Sequence, residues 1–267
     1  MLRDITIGQY FPGNSVIHRL DPRFKIIITI IYIVMLFTGD NFLCLAVGAV
    51  FTFGAILLSR IPLKMFFKSV KPLFIFLIIT SLINLLFMSR GDVLFEWKFI
   101  KITDEGLTTS AFMVIRIVLL IMGTSLLTYT TSPITLTDAI ERLLSPLRKI
   151  KFPVHELAMM TSIALRFIPT LIEETDKIMS AQKARGAEID TVSFAVRAKN
   201  LVSILVPLFI SAFRRADELA TARECRCYHG GEGRTRLRQL RSAPRDYIAL
   251  AVTVLFLAAV IVLGKLF

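Results

Sequence analysis

From residue 247 to residue 263 the chain reads YIALAVTVLFLAAVIVL, seventeen residues without one charged side chain. Such a run must be buried on every side. At roughly 1.5 Å per helical residue it approaches the length that crosses a bilayer, where about 20 apolar residues suffice. Four further stretches, residues 24–38, 42–59, 72–88 and 107–130, are of the same kind and carry at most one charge each. In hydrocarbon the backbone must satisfy its own hydrogen bonds, so spans of this length are helices. The expectation is an all-α, polytopic membrane protein with about five transmembrane helices. A hydrophobic content of 55% and a mean hydropathy of +0.68 exclude an ordinary soluble domain. The first 23 residues carry Arg3, Asp4, Arg19, Asp21 and Arg23 and offer no apolar core, so no cleavable signal peptide is expected.

Orientation follows from the basic residues, which short cytoplasmic loops retain. The link between the first two spans, GDN, has none, whereas RIPLKMFFKSVK (residues 60–71) has four and no acid. The N-terminus is therefore expected inside. Residues 131–245 hold nineteen of the 32 lysines and arginines, which points to a large cytoplasmic region before the last span. The division expected is a membrane region over 1–130, a cytoplasmic region over 131–245 and a C-terminal span over 246–267. The net charge of +12 then gathers on one side of the membrane, where anionic lipids or an acidic partner can meet it.

Within the cytoplasmic region the pattern is helical. ITLTDAIERLLSPL reads as a short amphipathic helix ending near Pro146. After Pro153, apolar residues recur at spacings of three and four as far as Met179, and Gly186 follows as a helix-ending residue. A second long helix repeats the plan from NLVSILVPLFISAF to RRADELATARECRCY, closed by Gly230 and Gly231. Each begins greasy and finishes charged, with Pro169 and Pro207 at corresponding places. Both are expected to run from the bilayer interface into the cytoplasm. Near their ends Arg185 and Arg226 continue the apolar stripe, seven residues past Ile178 and Leu219. Each offers a planar fork of donors suited to carboxylates or carbonyls of a partner.

AQKARGAE (residues 181–188) and CRCYHGGEGRTR (225–236) resemble the two Ala-Arg-Gly motifs of the transmembrane T-component (CbiQ-like) family of energy-coupling factor transporters. GQYFPGNSVIHRLDPRFK, TTSPITLTDAIERLLSPL and PVHELAMMTSIALRFIPTLIEETDKIM are similar to stretches of the same family, in order along most of the chain. The resemblance implies a non-catalytic membrane subunit in a bacterial cell membrane. Its two long coupling helices would join two ATP-binding cassette ATPases to a substrate-binding S component that captures a vitamin or other micronutrient. Carried over, Ala184, Arg185 and Gly186 form the first ATPase-binding motif unchanged. In the second, Cys225, Arg226 and Cys227 stand where Ala-Arg-Gly is expected, so only the arginine is kept. Ala222 and Arg223 compete for the same role, since Arg223 lies sixteen residues after Pro207 as Arg185 does after Pro169. Arg226 is preferred because GGEGRTR follows it in the family's order. Leu205, Leu208 and Phe209, on the greasy half of the second helix, are the expected docking surface for the S component.

Other functions find little support. No G-x-x-x-x-G-K-[ST] phosphate loop and no G-x-S-x-G elbow occur, and His18, His155 and His229 are far apart. No cofactor, no metal and no nucleic acid is expected; Cys225, Cys227 and His229 lack a fourth ligand, and lipid contact explains the basic charge more simply. The competing class is a membrane scaffold or receptor that binds a cytoplasmic signalling partner without transport. Arg116, inside the fourth span, either lines a solute path, snorkels outward or bonds a neighbouring helix.

Overall fold

The computed structural model describes residues 10–87, 93–97, 100–150, 152–186, 194–230 and 240–266. Its helices are α1 (Pro22–Thr38), α2 (Phe42–Ser59), α3 (Leu63–Val70), α4 (Phe74–Phe87), α5 (Asp104–Thr130), α6 (Pro133–Leu144), α7 (Val154–Ala184), α8 (Phe194–Glu224) and α9 (Pro244–Leu266). Short 3-10 turns at Lys71–Leu73 and Ser145–Ile150 continue α3 and α6. Between α4 and α5 the chain forms a small antiparallel hairpin, β1 (Val93–Trp97) with β2 (Ile100–Thr103). This is a polytopic α-helical membrane protein. Among the described residues four helical stretches are long and apolar enough to cross a membrane: Phe42–Ser59, Leu63–Leu85, Asp104–Thr130 and Pro244–Leu266. The remaining expected span, 24–38, falls in α1, which is 17 residues long and holds Lys25 in its first turn. The span expected at 72–88 begins earlier, at Leu63, since Pro72 falls in a 3-10 turn that passes the helix on rather than starting it.

The described residues divide into two compact units, one within 10–139 and 240–266 and the other within 140–230. In the first, α1 packs against α9 and α5, α2 against α5 and α9, and α3 and α4 against α5. Tyr32, Met35, Leu36, Cys44, Leu45, Leu119 and Val260 form one core cluster. Ile56, Ile61, Phe66, Met122 and Tyr129 form a second. Small residues set the spacing: a β-carbon on Gly123 would lie 2.2 Å from the Tyr32 ring. That ring is fixed, because its hydroxyl donates to the Leu119 carbonyl at 2.7 Å and is bonded to Thr52 at 2.8 Å.

The buried charges described in this unit, Asp21, Lys25, Arg116 and Asp246, have structural partners. Arg116 donates to the Gly39 carbonyl at the end of α1, lies 3.7 Å from Asp40 and stacks on Phe112 at 4.5 Å. Of the options open to it, bonding a neighbouring helix is the one observed. Buried Lys25 donates to the Thr130 carbonyl at 2.9 Å and to Thr131 at 3.3 Å, placing a cation on the C-terminus of α5, where the helix dipole favours it. Asp246, in the first turn of α9, accepts the backbone N–H of Ala243 at 2.7 Å and that of Asp21 at 2.8 Å. It ties the start of the last helix to the start of the first. Asp21 in turn pairs with Arg23 at 2.7 Å. Burial pushes the Asp21 carboxyl up, but the hydrogen bonds and charge of Arg23, with the charge of Lys25, leave it below the ordinary 3.8.

The second unit is built on α7 and α8, each 31 residues long and each continuing through its internal proline. The Gln182 amide donates to the Ser203 carbonyl, Arg215 meets Glu174 at 2.6 Å and Arg223 meets the Met159 sulfur at 3.3 Å. Partner numbers fall on one helix as they rise on the other, so the pair is antiparallel. This corrects the expectation that both helices run outward from the bilayer. Residues 185–193 can span at most about 32 Å, whereas returning to the start of α7 would require roughly 46 Å. The linker is therefore too short for a parallel pair in register, which agrees with the antiparallel course that the contacts give. Glu141 on α6 also bonds His155 on α7, at 3.0 Å.

Candidate functional site

Both long helices end in the same backbone device. In α7 the last helical residue is Ala184, Arg185 is the C-cap, and its N–H reaches back to Ala181 and Gln182. Gly186 follows with φ +85° and donates to the Lys183 carbonyl at 3.0 Å. In α8 the N–H of Cys227 donates to Glu224 at 2.8 Å and that of Tyr228 to Arg223 at 3.2 Å, the paired bonds of a Schellman cap. Cys227 has φ +55°. In each cap an arginine, Arg185 or Arg226, stands directly before the left-handed residue, although Arg226 lies one residue farther past the end of its helix, Glu224, than Arg185 does past Ala184. Arg223 lies three residues before Arg226, in the last turn of α8.

The left-handed conformation costs an L residue about 1–2 kcal/mol and costs glycine almost nothing. Gly186 answers that demand directly. Cys227 meets it at a cost, which the two cap hydrogen bonds and the packing of Tyr228 offset. The Tyr228 ring lies 5.8 Å from the Arg223 guanidinium, and its hydroxyl and Arg223 both approach the Met159 sulfur at 3.3 Å. Arg223 is thus held in the junction between α8 and α7.

Ala184, Arg185 and Gly186 are exposed, and so are Cys225, Arg226 and Cys227. Because the helices are antiparallel, the two caps are not brought together. Gln182 and Met159, the α7 residues nearest the two caps, lie 23 residues apart, roughly 35 Å along the helix. Around the second cap a cleft of about 940 Å³ is lined by Arg166, Phe167, Leu219, Arg223, Arg226 and His229 among others. Sequence reasoning missed Met159 and Tyr228; a methionine inside an apolar helical stripe gives no signal that it seats a cap on another helix.

Leu205 and Phe209 are 57% and 65% exposed, and Leu208 is half-buried. Val206, Ile210 and Phe213 around them are exposed as well, with the Phe209 and Phe213 rings 4.6 Å apart. The apolar half of α8 is therefore an open greasy surface, of the sort that marks an interaction site. Glu174 is paired with Arg215 across the helix pair.

The family described as cobalt transport protein, CbiQ, matches residues 13–237. The energy-coupling factor transporter transmembrane protein EcfT of Clostridium kluyveri is 55% identical over 268 residues, covering 100% of this chain and 98% of that protein. The chain belongs to the transmembrane T-component family of energy-coupling factor transporters. EcfT of Thermosediminibacter oceani is 57% identical over 94% of this chain and 95% of its own length, and EcfT of Bacillus subtilis 46% identical over 98% of each. As a T component, the chain is the membrane-embedded energy-coupling part of a transporter that has other subunits. The departure at Cys227 now has a measurable form, since the cap keeps the backbone geometry of Gly186 without the glycine.

Proposed function

We propose that this T component links ATP hydrolysis by two ATP-binding cassette ATPase subunits to uptake of a vitamin or other micronutrient, captured by an S component. The observation that carries the reading is the repeated cap: two exposed arginines in equivalent backbone settings at opposite ends of one antiparallel pair. Paired ATPases offer two like grooves some distance apart, and two like helix ends suit them. Arg185 and Arg226 anchor in carboxylate- or carbonyl-lined grooves, Ala184 and Cys225 beside them keep the approach narrow, and Gly186 and Cys227 turn the chain away. The open surface of Leu205, Leu208 and Phe209 receives the S component. The basic excess over residues 131–245 supports placing this region and the N-terminus in the cytoplasm of a bacterial cell, with residues 1–130 and 246–267 in the membrane.

The test is uptake into vesicles holding the full complex, measured beside retention of the ATPases. Losing one hydrogen-bonded buried arginine costs about 2 to 5 kcal/mol at an interface. Arg185→Ala and Arg226→Ala each weaken the complex, and the double change releases the ATPases or leaves their hydrolysis uncoupled from uptake. Lysine rescues poorly, because a point charge does not reproduce the fork. Wild-type uptake in the double variant would falsify the coupling role. A complex that purifies without nucleotide-binding subunits would favour the scaffold reading instead.

A further inference from the structure

At one end of the first unit α1, α2 and α9 are drawn tightly together. The Cys44 thiol donates to the Val260 carbonyl at 3.6 Å, and Gly39 has room for no β-carbon between Cys44 and Val260. Toward the other end of α1, α2, α5 and α9 the bundle leaves a cavity of about 540 Å³, walled by Ile28, Phe51, Ile56, Leu126, Val252 and Phe256. Its hydroxyls ask for nothing from a ligand. Tyr32 bonds Leu119 and Thr52, Thr52 donates to Gly48, Thr130 to Leu126 and Thr253 to Ala249. The interior therefore suits an aliphatic chain, and a volume of this size is typical of a small-molecule site.

The mouth carries the second observation. Lys25 and Arg245 line the cavity where α1 and α9 begin. The Lys25 ammonium is committed to the Thr130 carbonyl and Thr131, and the carboxylates of Asp21 and Asp246 are committed to Arg23 and to backbone N–H groups. Those two cations and two carboxylates cancel. Arg245, in the first turn of α9, is exposed and has no partner among the described residues. An uncompensated guanidinium thus lines the mouth of an aliphatic slot, the pattern that matches an anionic lipid.

We propose that this cavity holds an acyl chain of one anionic phospholipid, with its phosphate paired to Arg245. Gly54 lines the slot and a β-carbon there would meet nothing within 4 Å, so Gly54→Phe starts from open space and puts a ring where the acyl chain would lie. The full-length chain is purified in detergent containing phosphatidylglycerol and phosphatidylcholine of matched chains, and retained lipid is counted by native mass spectrometry. The wild type is expected to retain phosphatidylglycerol over phosphatidylcholine by about fivefold, the ~1 kcal/mol that one basic residue is worth at an anionic surface. Arg245→Gln removes that preference while keeping a bound chain. Gly54→Phe retains neither lipid above background, with an unchanged melting temperature in lipid-free detergent. Equal lipid counts in the wild type and Gly54→Phe, or no headgroup preference in the wild type, would overturn the proposal. So would loss of the lipid when the wild type assembles with its other subunits, which would assign the slot to a partner's helix. Should Gly54→Phe fail to fold, the Arg245→Gln comparison still decides.

Discussion

The two helix caps make opposite predictions for the same structural position. Gly186 has φ +85°, and a β-carbon there would touch nothing within 4 Å, so the cost of Gly186→Ala is conformational and not steric. An L residue in the left-handed region costs about 1–2 kcal/mol, of which the stiffer unfolded chain of alanine offsets about 0.4–1 kcal/mol. The net loss is about 1 kcal/mol. Cys227→Gly runs the other way: relief of a similar 1–2 kcal/mol, less the roughly 0.5–1 kcal/mol of extra entropy that glycine surrenders, leaves a gain of about 0.5–1 kcal/mol. The assay is amide hydrogen exchange in the purified chain. In Cys227→Gly the Tyr228 N–H, bonded to the Arg223 carbonyl at 3.2 Å, should exchange about two to five times more slowly. In Gly186→Ala the Arg185 N–H, bonded to Ala181, should exchange about five times faster. If glycine at 227 left Tyr228 unchanged or less protected, the cap would not be limited by its left-handed residue and the equivalence of the two motifs would lose its physical basis.

Two further perturbations probe the membrane unit. Gly123→Ala places a β-carbon 2.2 Å from a Tyr32 ring that two hydrogen bonds hold in place, so it should cost about 1–3 kcal/mol of overpacking; an unaltered thermal melt in detergent would contradict that packing. Asp21 ionises more readily folded than unfolded, so its stabilising contribution is complete above the ordinary 3.8 and disappears as pH falls through the lower folded value. Melts between about pH 6 and pH 3 should show this acid loss, reduced in Asp21→Asn; identical acid limbs would rule it out.

The membrane helices were legible because charge-free runs leave few alternatives, and α2 and α5 end at the residues expected of them, Ser59 and Thr130. Pro153 and Gly186 likewise bracket α7. What the sequence hid was tertiary or conformational. The segment VLFEW with IKIT pairs as a hairpin, but its charges and its place between spans disguised an alternation of strand-forming residues. The antiparallel course of α7 and α8 depends on linker arithmetic, not on periodicity. At the second motif the spacing from Pro207 favoured Arg223 and the order of the following residues favoured Arg226. The left-handed turn at Cys227, directly after Arg226, was not legible either, since a cysteine announces no positive φ.

The bond between the Asp21 N–H and the Asp246 carboxylate joins residues 225 positions apart. A ribosome makes α1 long before it makes α9, so the nascent chain must keep α1 in the membrane with its capping partner and much of its packing surface still unmade. The hairpin of α7 and α8, by contrast, needs only its own contiguous sequence and can form as soon as it emerges. Assembly then runs out of order along the chain: the α7–α8 hairpin matures first, and the membrane bundle is sealed by the last helix synthesised. A chain that stops before Pro244 would lose not one span but the closure of all the earlier ones.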